Sequence, residues 1–436
     1  MAHTKQSEQS LPVIIIGAGA AGLTAAQELQ TAGHDYLILE GRDRIGGRIH
    51  THQEPMAKPT LFELGAAWFH DVPHNRLAFA AEEEGYEAKY DDEQTVLFDD
   101  EGALDVPSFS NIASKFDEYR FRRDEGKTLD EVSANFLGEL SKAEEKRVAL
   151  AYVNLLSFFA GVPPTHVGAH FKKSDGRDQA VQGGYIKLFE NLLTKDVDPR
   201  RVKLSTKVTH ITTPKEGDQV RVSTQDGQHF DGKGVIVTVP VGTLKSNNRD
   251  HIQFEPRLNG NLIKSIESTP VVHVDKVYLT FPSTFWDQQV YKWVVTDSTS
   301  PAVVWNWTAT HPGTSQLNTV AVLVTNSVAK QVQSQPGDAF EIVKPILRNV
   351  TGAKDIPDPT QVVLSSWDSD EFSLGAFTSV ELGQTREELA APFIHGEPQN
   401  RLFFAGEHAT VEGAGLVQGA WESGKRAAKQ VIDTNL

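Results

Sequence analysis

The sequence predicts an α/β chain of two interleaved domains, one a doubly wound parallel sheet and the other a mixed sheet with helices. Three observations predict it. At 436 residues the chain exceeds the size at which a single hydrophobic core keeps growing. Its beginning reads as strand, glycine turn, helix and strand, and its end repeats the order strand, glycines, helix. Between them lie helical segments and alternating strands that belong to neither end.

The elements follow in order. Residues Val13 to Ile16 are apolar and β-branched, glycines interrupt at Gly17, Gly19 and Gly22, and Ala20 to Ala32 reads as a helix closed by Gly33. Tyr36 to Leu39 is a second apolar strand ending in Glu40, which completes a βαβ unit whose parallel strands require the helical crossover. Asn75 is the predicted N-cap of a helix reaching Gly85, and helical spacing recurs between Lys115 and Leu156 and from Gly184 to Leu193. Alternation at Val202 to Ile211 and Gln219 to Thr224, the Asp226-Gly227 turn and the apolar run Gly234 to Val239 suggest a return to the first sheet. Val271 to Phe281 and Tyr291 to Leu323 alternate again, and Asp338 to Val350 is amphipathic; these belong to the second domain. Arg401 to Ala405, the glycine-rich residues 406–419 and a helix from Ala420 to Ile432 re-enter the first. The expected boundaries are therefore 11–75, 200–255 and 385–436 for the first domain, and 76–199 and 256–384 for the second.

Composition narrows the function. The net charge of −16 repels nucleic acid and favours small cations. Each acidic run, Glu82-Glu83-Glu84, Asp91-Asp92-Glu93 and Asp99-Asp100-Glu101, reads on its own as a solvated face, and only their sum favours a cationic ligand. No stretch has the apolar length of a membrane span. The polar start MAHTKQSEQS lacks the pattern of a secretory signal, and the ending Asp433-Thr434-Asn435-Leu436 is not an S-K-L tripeptide, so the cytoplasm is the expected location, with the peroxisome as alternative. Cysteine is absent, which excludes disulfides, thiolate metal ligands, a cysteine nucleophile and a cofactor tethered by thioether. No metal site is expected.

The chemistry starts at the first turn. Gly17, Gly19 and Gly22 form G-x-G-x-x-G between a strand and a helix, with Glu40 closing the next strand. Gly17 permits the tight turn, Gly19 lets the backbone approach a pyrophosphate, Gly22 lets helix pack on sheet, and the helix N-terminus favours phosphate charge. Glu40 is placed to bind ribose hydroxyls. Nicotinamide and flavin dinucleotides both satisfy this much. Glu40 then continues into Gly41-Arg42-Asp43-Arg44-Ile45-Gly46-Gly47-Arg48, a basic, glycine-rich loop able to close over a cofactor's phosphates.

The string E-G-R-D-R-I-G-G-R resembles the flavin amine oxidase family, which includes monoamine, polyamine and L-amino acid oxidases and the flavin histone demethylases. The resemblance continues through Phe62-Glu63-Leu64-Gly65-Ala66-Ala67-Trp68-Phe69-His70, Val235 to Pro240, Asp275-Lys276-Val277, Trp367 with Gly375-Ala376-Phe377, Phe403-Phe404-Ala405-Gly406-Glu407-His408, and Gly415 to Gly424. It implies a GR2-type FAD-binding Rossmann-like domain interleaved with a substrate domain, the active site lying where they meet. It implies that Arg42, Arg48 and Gly65 contact the flavin side of FAD, that Glu407 lies by the ribityl and phosphate, that Val208 holds the adenine, and that Trp367 and Val417 flank the isoalloxazine. Gly47, Ala66 and Gly406 belong to the same cofactor motifs. Lys276 corresponds to the family lysine that reaches flavin N5 through a water, where burial lowers its pKa toward neutrality. In monoamine oxidases a cysteine before the aromatic of the Gly-Ala-Phe segment carries the flavin. Ala376 stands there in this chain, so FAD is expected to be noncovalent.

The substrate side of the resemblance points to polyamines. Polyamine oxidases carry a histidine where His70 follows Trp68 and Phe69, facing the substrate amine. Phe377 matches one wall of the aromatic cage, but Leu416 replaces the other aromatic of the monoamine oxidases. That departure resembles the yeast spermine oxidase and peroxisomal polyamine oxidase branch, with Phe158 or Phe159 offering a tunnel wall. The implied reaction oxidises a carbon beside a secondary amine of spermine, spermidine or an N1-acetyl form to an imine. Water then releases an aldehyde and a smaller amine, and oxygen becomes hydrogen peroxide. An L-amino acid oxidase would need an arginine to clamp a carboxylate, and none occurs in 68–71 or 374–378. An L-amino acid oxidase, a monoamine oxidase-like enzyme and a flavoprotein without catalysis are the alternatives. A histone demethylase is expected to need a coiled-coil insertion and a chromatin-binding domain, for which this length leaves no room.

Overall fold

The computed structural model describes residues 11–53, 60–92, 94–123, 126–171, 176–193, 195–213, 219–247, 250–296, 301–312, 318–434 and 436. Residues 1–10, Glu93 and Asn435, from three segments singled out above, lie outside them. The chain forms two compact units, one made of 1–47, 189–268 and 386–436, the other of 48–188 and 269–385.

The first unit is built on a parallel sheet of five strands in the order Val202–Lys203, Tyr36–Leu39, Val13–Ile16, Gly234–Val237 and Leu402–Phe404. Val13–Ile16 is buried at every position, as expected of a strand covered on both faces. The helices Ala20–Thr31 and Val417–Asp433 pack closely, and a Cβ on Gly424 would collide with the Ala21 carbonyl. The 202–211 segment departs from expectation. Only its first two residues join the parallel sheet, while Val208–Thr212 belongs to a separate four-stranded sheet with Val220–Thr224, His229–Gly232 and Gln253–Glu255. Its alternating burial marks a sheet with one wet face, which periodicity alone does not assign to a parent sheet.

The second unit carries a seven-stranded sheet in which Val274–Phe281 pairs with Asn318–Thr325 on one side and Gln361–Leu364 on the other. Helices Val106–Arg120, Leu129–Glu139 and Ala143–Ala160 pack together in a core with Trp68, Trp305, Trp307 and Trp367. The predicted helix at 75–85 runs Arg76–Glu83, capped by Asn75 Oδ1, which accepts from Leu77 N and Ala78 N. Residues 48–75 lie in this second unit although the motif reading grouped them with the first. Their strands pair inside it: Thr51–Gln53 with Leu61–Glu63, and Trp68–Phe69 with Gln179–Val181.

The acidic runs divide. Asp91 is buried and accepts from Lys292 Nζ and Trp305 Nε1, both at 3.1 Å, Asp92 pairs with Arg177, and Asp99 takes a two-bonded Arg147. Glu82, Glu83 and Glu84 stay exposed. Asp91, Asp92 and Asp99 are thus tied to basic side chains and do not simply face solvent. No described helix is long and apolar enough to cross a membrane, and no group of three or more metal-ligating side chains occurs among the described residues.

Candidate active site

In the first unit the site is mostly backbone. Gly17 has φ of +105°, and a Cβ there would stand 2.7 Å from Thr238 Oγ1. A Cβ on Gly22 would collide with the Gly17 carbonyl, so the turn closes only with glycine at both places. Gly19 caps the helix Ala20–Thr31 without a side chain, and a Cβ there would meet only Gly46 O, at 4.0 Å. The first-turn N–H groups therefore present an open cradle for an anion. Gly46 N donates to Ala18 O at 2.9 Å, which brings the Gly46-Gly47 turn beside Gly19.

Glu40 sits at 6% exposure and accepts from Ala18 N at 2.7 Å and Arg42 N at 2.8 Å. Burial nevertheless pushes its carboxyl above the usual range. Thr206 N donates to Glu40 O and Ser205 N to Arg42 O, both at 2.7 Å, so the chain leading to buried Val208 runs alongside Glu40. The second glycine turn repeats the pattern. Gly406 N donates to Ser423 Oγ at 2.8 Å, Glu407 is buried, Leu416 is the N-cap of the last helix and Val417 its first residue.

In the second unit three consecutive carbonyls organise the side chains. Glu63 O accepts from Lys276 Nζ at 3.0 Å and Tyr278 Oη at 2.7 Å, Leu64 O from Trp367 Nε1 at 2.9 Å, and Gly65 O from Lys276 Nζ at 2.6 Å. Gly65 has no room for a side chain, because a Cβ would collide with Arg48 O. Ala66 N donates to that same carbonyl at 3.2 Å, and Arg48 Nη1 donates to Ala376 O at 2.8 Å. Arg48, Gly65, Ala66 and Trp367, expected from the resemblance to hold the cofactor, thus come together around Lys276. On the other face of the lysine's strand, Asp275 accepts from Ser365 Oγ at 2.6 Å and Trp367 N at 3.3 Å, which fixes the tryptophan's backbone. Burial raises the Asp275 carboxyl to about 6.

Lys276 is 8% exposed, its Nζ lies 4.9 Å from the centre of the Trp68 ring, and burial lowers its pKa to about 7. Trp68 packs against Trp305 with ring centres 4.5 Å apart and planes tilted by 31°. His70 follows at the end of the Trp68–Phe69 strand, half-exposed, with Nδ1 3.1 Å from Asp178 Oδ2. Phe377 pairs across to Val272 in a short ladder and is partly buried. Phe158 is core, and Phe159 packs against it from a partly buried position, ring centres 5.6 Å apart.

Residues 20–432 match the family described as flavin containing amine oxidoreductase. The chain belongs to that family. A flavin amine oxidase of this family uses FAD, and the first unit fits it by its own chemistry: glycines that admit no Cβ, an open helix N-terminus and a buried carboxylate beside the turn. Among relatives, a protein from Candida albicans named corticosteroid-binding protein is 26% identical, covering 99% of this chain and 97% of its own. Probable polyamine oxidase 4 of Arabidopsis thaliana is 28% identical over 98% of this chain and 88% of its own. Human lysine-specific histone demethylase 2 is 26% identical over 96% of this chain but 53% of its own length. The Arabidopsis lysine-specific histone demethylase 1 homolog 3 is 28% identical over 97% of this chain, which spans 30% of that protein's length.

Several residues of the site escaped motif reading. Glu63 and Tyr278 lie beside Lys276, Tyr185 faces Glu63, Asp178 holds His70, and His311 stacks on Trp307 at 3.6 Å. Glu63 carried a usable signal, an acid inside an apolar block. Asp178 carried none, since its partner His70 lies more than a hundred residues away in sequence.

Proposed function

We propose that this flavin amine oxidase is a polyamine oxidase, acting on a carbon beside a secondary amine of spermine, spermidine or their N1-acetyl forms and passing the electrons to oxygen. The carrying observation is Lys276, an amine buried among aromatic side chains, held by two carbonyls and brought near neutrality by burial. Such a group exchanges a proton at working pH without a charge change in bulk solvent. In this reading the first unit binds the dinucleotide and the second the amine. Bound FAD supplies the acceptor for the substrate's electrons. Trp68 and Phe377 offer apolar walls for a methylene chain, and His70, oriented by Asp178, offers a polar contact for a substrate nitrogen. The location carried with this proposal is the cytoplasm.

Similarity to polyamine oxidases at 27 to 28% identity over 98% of this chain supports the polyamine reading, and the demethylase relatives, at 26 to 28%, keep demethylation among the outcomes to be tested. The Candida relative supplies the competing reading, a flavoprotein that binds an apolar ligand. A peroxide-coupled assay decides among them, run on spermine, spermidine, their N1-acetyl forms, an N-methyl-lysine peptide and a corticosteroid added as competitor. Peroxide from one or more polyamines is expected. Peroxide from the peptide alone, or none with tight steroid binding, overturns the proposal.

A further inference from the structure

We propose that Glu63 is the positioning residue of Lys276, setting both where the amine stands and whether it is charged. The inference rests on the reading of Lys276 as the site's proton-exchanging amine and adds the residue that governs it.

Glu63 acts from both ends. Its main-chain carbonyl holds Lys276 Nζ at 3.0 Å and Tyr278 Oη at 2.7 Å, two side chains on one face of the strand Val274–Phe281. Its carboxylate, 1% exposed, is clamped elsewhere. Thr51 Oγ1, directly across the hairpin, donates to it at 2.8 and 3.0 Å, and Tyr185 N, the first residue of the helix Tyr185–Leu193, donates at 2.9 Å. The residue that sets the lysine's anchor is therefore itself fixed by two separate elements. A shift of either clamp moves the amine.

The same clamp holds a charge within reach of the amine. The titratable groups around the pair are Glu63 itself from the hairpin, Tyr278 from the lysine's own strand, Tyr185 from the helix, which faces Glu63, and His311 after the turn Trp307–Thr310, which faces Lys276, with Lys89 acting on His311. Burial keeps both phenols protonated and His311 neutral, its pKa lowered to about 3. Trp68 offers only a ring face. Asp275 lies on the opposite side of the strand, tied to Ser365 and Trp367. Among the described residues, Glu63 is thus the acid that answers this amine. Burial opposes both ions, raising the Glu63 carboxyl and lowering Lys276, and their mutual attraction works against burial on each. The two groups titrate as a pair.

Glu63→Gln separates charge from place. The glutamine oxygen still accepts from Tyr185 N, and its NH2 donates to the Thr51 hydroxyl, so the clamp survives while the charge goes. In holoenzyme carrying [15N]lysine, with Lys276 assigned by the signal missing from Lys276→Met, its titration midpoint should fall by about one pH unit in Glu63→Gln. That is a roughly tenfold lower ratio of charged to neutral amine at a given pH. The coupling is reciprocal, so in Lys276→Met with [13C]glutamate the Glu63 carboxyl midpoint should rise by a similar amount. This second variant serves even where Glu63→Gln does not fold. A Glu63 that only braces the hairpin would lower the melting temperature and leave both midpoints in place, which overturns the proposal. Failure of the parent reading looks different: Lys276→Met would turn over substrate normally while the two titrations stayed coupled.

Discussion

The two units build their parts of the site by opposite means. In the first, Gly17, Gly19, Gly22 and Glu40 lie within one strand–turn–helix–strand segment, and the useful groups are N–H donors, empty space and one carboxylate. In the second, Lys276 and Trp367 come from far along the chain and are gathered on the carbonyls of Glu63, Leu64 and Gly65, just before Trp68 and His70. A binding cradle for a phosphate needs no side chain to find a distant partner, since the backbone supplies the donors. Placing an amine demands a scaffold that many long-range contacts fix, because its charge state follows from everything packed around it. The first region should then break through single atoms added to glycine, and the second through single groups removed.

The largest effect is expected in the first region. Gly22→Val puts a branched side chain where even a Cβ collides with the Gly17 carbonyl, and Thr238 Oγ1 stands 3.1 Å from that Cβ. Backbone cannot yield as a flexible side chain does, so a loss on the order of 3 kcal/mol or more is expected. The measure is the ratio of flavin to protein absorbance after purification: a yellow, stable Gly22→Val protein would show that the cradle tolerates what the comparison says it cannot. In the parent protein the flavin should leave on acid precipitation, because no cysteine exists to tether it.

Next comes the amine of the second region. Lys276→Met keeps the length and apolar stem but removes the proton-exchanging group, so turnover should fall by about 10²- to 10⁴-fold while the flavin spectrum persists. Stopped-flow reoxidation by oxygen is the step to watch. Unchanged reoxidation and turnover would reduce the lysine to a brace between two carbonyls. His70→Ala should cost less. Loss of one hydrogen bond to a polar substrate group is worth about 1 to 3 kcal/mol, hence a roughly five- to 200-fold lower kcat/KM, felt mainly in KM. Equal kinetics on free and acetylated polyamines, with no loss for either, would leave His70 as a partner of Asp178 alone.

How far the sequence was legible follows the same division. The βαβ unit, its turn and Glu40 were readable because neighbours in sequence make the structure there. The Arg76–Glu83 and Ala339–Thr351 helices were readable from caps and spacing. The boundary between the units was not. The motif through His70 runs on from the glycine loop without a break in pattern, yet its strands pair with one another and with Gln179–Val181, so residues from Arg48 onward lie in the second unit. The alternation at Val202 to Ile211 suggests a strand of the first sheet, yet its later part, Val208–Thr212, pairs in another, because alternation identifies a half-buried strand and says nothing of its partner. In the site, Lys276 was legible only by resemblance. A lysine in an apolar strand ordinarily snorkels, and what prevents it here is the carbonyl pair at Glu63 and Gly65, an arrangement written in no local pattern.

The smallest expected effect concerns stability, and it tests whether the second region is a closed polar interior. His311 is 2% exposed, stacks on Trp307 and shares a hydrogen bond of 3.0 Å between its Nδ1 and Thr310 Oγ1. Burial, helped by the nearby Lys276, lowers its pKa from 6.5 to about 3. The folded state therefore holds it neutral where the unfolded chain takes a proton. Between pH 6.5 and 3 the unfolded state binds more protons, so the stability His311 contributes is present above 6.5 and lost as the pH falls through that window. Glu63 and Asp275 act in the reverse sense, because their raised carboxyls favour the folded state at low pH and lose that contribution as the pH climbs toward about 7 and about 6. The raw melting curve mixes both, and a variant separates them. His311→Phe keeps a ring against Trp307 and cannot be protonated. Its melting temperature should lie near or below the parent's at pH 7, where the Thr310 bond is missed, and gain on the parent by a few degrees as the pH approaches 4. A constant difference between the two proteins from pH 7 to 4 would mean that water or a counter-charge reaches His311, and the second region would then be far more open than its buried aromatic packing implies.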